Sequence, residues 1–390
     1  MTARATPPKT PPTTAKQSAI KPQLEPTTRP ETTPEPFGSP ARRIPAAVVN
    51  GTGYGGMELL RLLRRHPTFE VVEATARSEA GSPVSAVFPQ LAGLDLTFGE
   101  RVERAEVVFV ALPDHAAIEV IPQLLAEGRR VVDLSAGFRL RDADLYPTWY
   151  GYDHAAPDLL AEAVYGLTEW ARAELPTARL VACPGCFPTA TLLALGPALA
   201  RDLIAPDVVV DAKTGVSGAG RSLALAQHFS EANEDVAAYG LAGHRHWPEM
   251  VQALEGVRGA RPAADEHATP DALRLTFLPH LIPMTRGILA TCYATLRPGV
   301  TLADAQAAYA EAYADEPFVR LATSAPHTKW TYGSNLCYVF PTLEPHSGRF
   351  IVMGAIDNLV KGAAGQAIQC ANVMYGLPET QGLPQEGVYP

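Results

Sequence analysis

From residue 44 to about residue 200, short apolar runs alternate with amphipathic stretches. The runs at 46–49, 69–76, 106–112, 130–134 and 180–182 are nearly continuous in Val, Ile, Leu, Phe and Ala. Strands that bury both faces in a parallel sheet read this way. Between them, residues 57–66 space Leu59, Leu60, Leu62 and Leu63 as one helical face, and 116–127 reads as a second helix. Leu192, Leu193, Leu195 and Leu199 continue the helical spacing from Thr189 onward. Strand–helix alternation of this kind predicts a doubly wound dinucleotide-binding unit. The pattern then changes. Strands are predicted at 208–213, 273–278, 287–296, 318–322, 336–340 and 350–356, with one helix at 301–314 among them and a closing helix at 361–375. Grouped strands with few helices predict a second, mostly antiparallel sheet.

The first 43 residues differ in kind, with 10 prolines, 9 threonines and almost no branched or aromatic apolar side chains. Such a segment cannot bury enough surface to offset its ordering entropy, so a disordered tail is expected at 1–43. Its seven Lys/Arg against three Glu invite a transit-peptide reading, but its prolines would interrupt the amphipathic helix of such a peptide. The division that follows is a nucleotide-binding domain at 44–187, a catalytic and dimerisation domain at 188–357, and a returning helix at 358–376. Residues 256–271 read as a polar surface connection.

Composition narrows the partners. The net charge is -9, and no basic run is interleaved with aromatics, which excludes the usual nucleic-acid footprint. No apolar run reaches the roughly 18 residues of a membrane span. Five scattered cysteines in a 390-residue chain suit free thiols in a reducing, cytoplasmic setting.

Candidate chemistry falls at the strand ends. Asn50 to Gly56 (NGTGYGG) joins the first strand to the first helix, where glycines let a backbone approach a pyrophosphate. The second strand ends in Ala76-Arg77-Ser78, where a cationic fork and a hydroxyl suit a 2′-phosphate and favour NADP over NAD. Ser135 to Leu140 follows the strand at 130–134, and Arg139 is a candidate anion ligand. Cys183-Pro184-Gly185-Cys186 stands between a strand and a helix. The helix N-terminus there is expected to favour a Cys186 thiolate, a ready nucleophile. Cys183 admits a dithiol reading or a core position; Cys292, Cys337 and Cys370 read as packing residues. In His244-Arg245-His246 an extended backbone would put both imidazoles on one face. Three readings stay open there: a general base for Cys186, locally satisfied histidines, or a zinc pair without further ligands.

Taken together, these segments resemble the N-acetyl-γ-glutamyl-phosphate reductase family over roughly residues 44–376. The resemblance rests on Gly53 to Leu59 (GYGGMEL), Ala76 to Gly81, Pro184 to Thr189 (PGCFPT), Ser217 to Arg221 (SGAGR), His244 to Glu249 (HRHWPE), Pro279 to Ile288, and Ile356 to Gln366. It implies the α/β fold of aspartate-semialdehyde and glyceraldehyde-phosphate dehydrogenases, with a terminal helix returning to the nucleotide domain. It also implies NADPH-dependent reduction of an acyl phosphate through a Cys186 thioester, in arginine biosynthesis. The antiparallel second domain offers an interface, and symmetry preferences lead to the expectation of a homodimer or homotetramer. Cys186 carries over as nucleophile and the histidine pair as acid/base, His246 being preferred to His244. Gly53, Tyr54, Gly55, Gly56, Arg77, Ser78, Ser135, Gly218 and Asn358 are implied around the cofactor, and Arg139, Ser217 and Arg221 around the substrate. No metal is implied. Three positions depart from the family pattern. Asn50 stands in place of a glycine, Gly137 in place of the aspartate of S-A-D-F-R, and Leu112-Pro113-Asp114-His115 in place of L-P-H-G. Rival readings are a sister reductase for aspartyl or aminoadipyl phosphate and a non-catalytic NADP-binding protein.

Overall fold

Seven strands form the first sheet: β1 Ile44–Val49, β2 Phe69–Thr75, β3 Phe98–Gly99, β4 Val107–Val110, β5 Arg130–Asp133, β6 Val164–Tyr165 and β7 Leu180–Ala182. Their order is β3-β2-β1-β4-β5-β7-β6, and every neighbouring pair is parallel. The chain winds outward from β1 to β3, then returns to lay β4 on the other side of β1. Loops leaving the carboxyl ends of β1 and β4 therefore diverge and open a crevice between them. The short strands β3 and β6, two residues each, are too brief to leave a hydrophobic pattern in the sequence. This computed structural model describes residues 43–259 and 272–389. Except for Arg43, the tail read at 1–43 lies outside the described residues, as does the 260–271 part of the connection read at 256–271.

The second sheet contains β8 Asp207–Gly215, β9 Ala237–Ala238, β10 Arg274–Ile282, β11 Ile288–Ala294, β12 Val319–Leu321, β13 Cys337–Leu343 and β14 Phe350–Ile356. Its order is β12-β13-β14-β11-β8-β10-β9. The β12/β13 and β8/β10 pairs are parallel, and the remaining pairs are antiparallel. The sheet is thus mixed, with antiparallel pairing predominating. One of its faces, including Val208, Val210, Ala212, Ala290 and Cys292, is buried in one apolar cluster with the helix Cys186–Ala200. That helix is apolar on all sides and almost wholly buried, as a helix inside a core must be. At Gly354 of β14 an added Cβ would lie 2.6 Å from the Ala190 carbonyl oxygen, so helix and sheet backbones nearly touch.

The chain ends by going back. A wide π-type turn, Val360–Ala364, leads into the helix Gly365–Met374. Ala367, Ile368, Cys370 and Ala371 join the apolar cluster that holds Ala46, Val48 and Val107 of the first sheet. The sequence predicts one helix over 361–375; its first turn is widened where the Lys361 side chain is drawn fully into the interior. No helix among the described residues is long and apolar enough to cross a membrane.

Candidate active site

The turn that carries Cys186 is built by three short segments. β7 ends at Ala182, Gly185 caps the next helix in an extended conformation, and Cys186 is that helix's first residue. The Gly185 N–H donates to Glu249 Oε1 at 2.8 Å. The Tyr165 hydroxyl donates to the same oxygen at 2.8 Å, and Arg139 Nη1 reaches Glu249 Oε2 at 3.3 Å. Arg139 also donates to the carbonyls of Cys183 (2.7 Å) and Leu134 (2.8 Å). Glu249 is fully buried and Arg139 nearly so, so each charge depends on the other. On the opposite side Gly362 packs so closely that an added Cβ would lie 2.8 Å from the Cys186 Cβ.

The expectation of a resting thiolate is corrected here. Surrounding protein pushes the Cys186 thiol up to about 11; Arg139 and the helix N–H groups pull it down, but burial outweighs them. The sulfur is therefore S–H near neutrality. Cys183 is fully buried, as are Cys292, Cys337 and Cys370, and all are free thiols.

The histidine segment is not extended. Arg245 is already helical (φ -52°, ψ -24°), and the helix His246–Val257 begins beside it. The two rings nevertheless lie 4.8 Å apart, centroid to centroid. His244 Nδ1 accepts the backbone N–H of His246 at 3.1 Å, which commits that nitrogen to the start of the helix. Phe187, Tyr239 and Phe277 surround the His244 ring. His246 has no such commitment: its Nδ1 is buried without a partner among the described residues. Its ring lies against Gly185, where an added Cβ would stand 2.4 Å from Nε2. Burial lowers both histidines. His244, with Arg245 adding to the effect, falls to about 4; His246 falls well below the ordinary range, helped by His244, Arg139 and Arg245. Both rings are neutral at pH 7.

The dinucleotide side fits a pyrophosphate. Asn50 takes the left-handed conformation (φ 63°) that glycine takes more freely, and its Nδ2 donates to the Ala111 carbonyl at 2.8 Å, tying β1 to the end of β4. Asn50 thus serves the turn that its departure from glycine put in question. Gly53 and Gly55 line a cleft of about 1460 Å³, and a Cβ on either would meet nothing closer than 3.8 Å of protein, leaving their faces open to a ligand. Gly56 differs: a Cβ there would lie 2.3 Å from Asn50 O, so it is a packing glycine. The same cleft is lined by Tyr54, Ser78, Ser135, Arg139 and Cys186, and on its other wall by Ser217, Gly218, Arg221, His244, His246 and Asn358. Gly56 and Arg77 do not line it; Arg77 is exposed beyond the end of β2.

Individual side chains are more committed than the sequence reveals. The Ser135 hydroxyl donates to the buried Asp133 at 2.7 Å. Asn358 Oδ1 accepts the Gly287 N–H (2.8 Å), and its Nδ2 donates to the Ser217 hydroxyl (3.0 Å), which fixes Ser217 on the cleft wall. Arg221 donates to the Thr52 carbonyl in the glycine turn at 3.1 Å and lies over the Phe88 ring. Gly137 is crowded by Ile118, Ser135 and Asp114, with its Cβ position only 2.8 Å from Ile118 Cγ2; an aspartate would not fit without rearrangement. Tyr165 carries no signal in the sequence. Glu249 and Gly362 lie inside the segments 244–249 and 356–366 that carry the resemblance, but the sequence does not show that they pack around the Cys186 turn.

The chain matches two family descriptions: "Semialdehyde dehydrogenase, NAD binding domain" over residues 45–178, and "Semialdehyde dehydrogenase, dimerisation domain" over residues 186–358. It is 48% identical to the N-acetyl-gamma-glutamyl-phosphate reductase of Dehalococcoides mccartyi (strain ATCC BAA-2266 / KCTC 15142 / 195), over 88% of this chain and 98% of that protein. It is 49% identical to the protein of the same name from Halorhodospira halophila, over 87% and 98% respectively. Among solved structures, aspartate semialdehyde dehydrogenase II of Vibrio cholerae aligns with a TM-score of 0.64 at 14% identity, over 86% of this chain and 98% of that one. The Candida albicans aspartate semialdehyde dehydrogenase solved with NADP aligns with a TM-score of 0.60 at 15% identity, over 85% and 98%.

Proposed function

Since the chain belongs to the N-acetyl-gamma-glutamyl-phosphate reductase family, we propose that its cleft works by a Cys186 thioester with NADPH as reductant. The protein is an oxidoreductase that reduces N-acetyl-γ-glutamyl phosphate to the semialdehyde in arginine biosynthesis. The observation that carries the residue assignment is the meeting of Cys186, His246 and the glycine turn on one cleft.

His246, neutral and unpartnered at Nδ1, takes the Cys186 proton as the sulfur attacks the γ-carbonyl carbon. The carbon–oxygen bond to phosphate breaks, and phosphate leaves with the bonding pair. The acyl group stays on sulfur, activated and tethered beside the cofactor cleft, which removes the entropic cost of a second encounter. NADPH, when bound, supplies a hydride to the acyl carbon. Gly53 and Gly55 would hold its pyrophosphate, Ser78 with Arg77 its 2′-phosphate, and Gly218 and Asn358 the neighbourhood of its nicotinamide. N–H groups at the start of the Cys186 helix would favour the developing negative charge. The imidazolium returns its proton there or to the departing sulfur, and the aldehyde leaves.

Arg77 and Ser78, following the end of β2, support NADP over NAD. The same reading divides the chain at 44–187 and 188–357, with 358–376 returning to the nucleotide unit. A homo-oligomer accords with the dimerisation-domain match; we assign it as a dimer or tetramer, in the cytoplasm. The test is the reverse reaction: N-acetylglutamate semialdehyde, phosphate and NADP or NAD, followed by nicotinamide absorbance. Phosphate-dependent NADPH formation that vanishes in Cys186→Ser is expected. Near-normal turnover in that variant, or a preference for NAD, would contradict the corresponding part.

A further inference from the structure

The substrate of the reading above carries two anionic groups and no cation, because its nitrogen is acetylated. One is the phosphoryl group on the reacting carbon, and the other is the free α-carboxylate. Three arginines line the cleft: Arg139, Arg221 and Arg245. Arg139 is buried, and its charge is balanced by Glu249. Arg221 is braced on the glycine turn through the Thr52 carbonyl and on Phe88. Arg245 is the cation in reserve. Its side chain is 66% exposed, and its guanidinium meets Asp114 in a loose contact of 3.7 Å.

The backbone around Arg245 is fixed even though its side chain is not. Its carbonyl accepts the Tyr150 hydroxyl at 3.3 Å, and its two neighbours are the histidines of the site. A guanidinium on a rigid base, held in the cleft by a weak carboxylate contact, is poised to exchange that contact for a better one. A planar fork takes a carboxylate through two parallel hydrogen bonds, which the 3.7 Å contact does not provide. Asp114 loses little by the exchange. It lies in the first turn of the helix Asp114–Ala126, where free N–H groups already favour a negative charge.

We propose that Arg245 binds the α-carboxylate of the acyl substrate, and that Asp114 keeps the guanidinium in the cleft until that carboxylate displaces it. This rests on the functional reading above. The α-carboxylate is chosen over the phosphoryl group because the resident partner is itself a carboxylate. The start of the Cys186 helix already provides positive potential where phosphate must leave. The pair then acts as a selectivity device, since an aldehyde without an α-carboxylate gains nothing from Arg245.

The reverse reaction separates the two anions, because semialdehyde and phosphate enter as different reactants. The probes are N-acetylglutamate semialdehyde and its decarboxylated analogue, 4-acetamidobutanal. In Arg245→Gln the KM for the semialdehyde should rise at least tenfold, with the KM for phosphate and for 4-acetamidobutanal unchanged. Arg245→Lys should recover part of the loss. In Asp114→Asn the semialdehyde KM should fall, because the competing carboxylate is gone. A rise in the phosphate KM instead, an equal loss for both aldehydes, or an unchanged semialdehyde KM in Arg245→Gln overturns the proposal. Failure of the unmutated enzyme to oxidise the semialdehyde sinks the functional reading and this proposal with it. A working enzyme with an indifferent Arg245→Gln sinks this proposal alone.

Discussion

Glu249, three residues after His246, accepts at 2.8 Å the backbone N–H of Gly185, the residue before Cys186. One buried carboxylate thereby fixes the Cys186 turn to the helix that begins at His246. Glu249→Gln keeps one acceptor but strips Arg139 of its counter-charge. Leaving a buried charge unpaired costs roughly 3–5 kcal/mol. We predict that loss in denaturant unfolding, together with a drop in kcat and no change in the KM for NADP, whose glycine turn Glu249 does not touch. A variant as stable as the parent would show that Arg139 finds water or another partner.

Gly185 tests the same turn from the other side. An added Cβ would stand 2.4 Å from His246 Nε2, so alanine must push the imidazole away. A displacement near 1 Å at a reacting pair costs on the order of 100-fold in rate. Gly185→Ala should therefore lose about that much kcat while its melting temperature changes little. Gly256→Ala is the control. It lies on the same helix as His246 with no atom within 4 Å of the new methyl, and should gain roughly 0.5–1 kcal/mol without a kinetic effect.

The pH behaviour follows from burial. With the Cys186 thiol pushed up to about 11, the thiolate fraction in the free enzyme is small at pH 7 and grows tenfold per pH unit. Iodoacetamide alkylation of Cys186 should rise in that proportion between pH 7 and 10. A plateau below pH 8 would restore the resting thiolate. The histidines act on stability with a defined sign. Both are depressed, His244 to about 4, so the unfolded chain binds protons that the folded one refuses. Stability is full above the ordinary histidine value near 6.5 and is lost as pH falls from there toward 4. Melting temperatures between pH 7 and 4.5 should show that decline, and His244→Gln should lessen it.

Much of this arrangement was legible in the sequence because it is local. The helix start at Cys186 follows from Pro184 and Gly185, and the parallel strands follow from unbroken apolar runs such as 106–112. Asn50 reads as a departure from the family's glycine; that it takes the left-handed conformation itself is seen only in the structure. What was not legible depends on distant partners. The thiol at Cys186 is governed by the protein packed around it, which overrides the local pull of the helix end. The histidine segment turns helical one residue earlier than an extended reading allows, because His244 caps His246. Arg139 reads as a ligand from its loop and Ser135 from the resemblance, yet most of their bonding goes to Asp133, Cys183, Leu134 and Glu249. No periodicity encodes such pairings.

The last prediction concerns Lys361, which is fully buried at the widened turn before the terminal helix. Its Nζ lies 2.5 Å from Glu169 Oε1 and 2.7 Å from Gln369 Oε1. Burial alone would raise the Glu169 carboxyl, but the Lys361 charge and its hydrogen bonds overcome this and hold it below the usual range. Lys361→Met leaves Glu169 buried without its cation, a loss of roughly 3–5 kcal/mol; removing both charges with Glu169→Leu restores packing without that penalty and should recover most of the stability. A double-mutant cycle in urea measures the coupling, expected to be large because the groups touch. Gly362 is the next residue and rests on the Cys186 Cβ. If the ammonium also holds that turn in place, the double variant regains stability but not kcat. Full recovery of both would confine Lys361 to charge balance, and additivity within about 0.5 kcal/mol would mean the pair is not coupled at all.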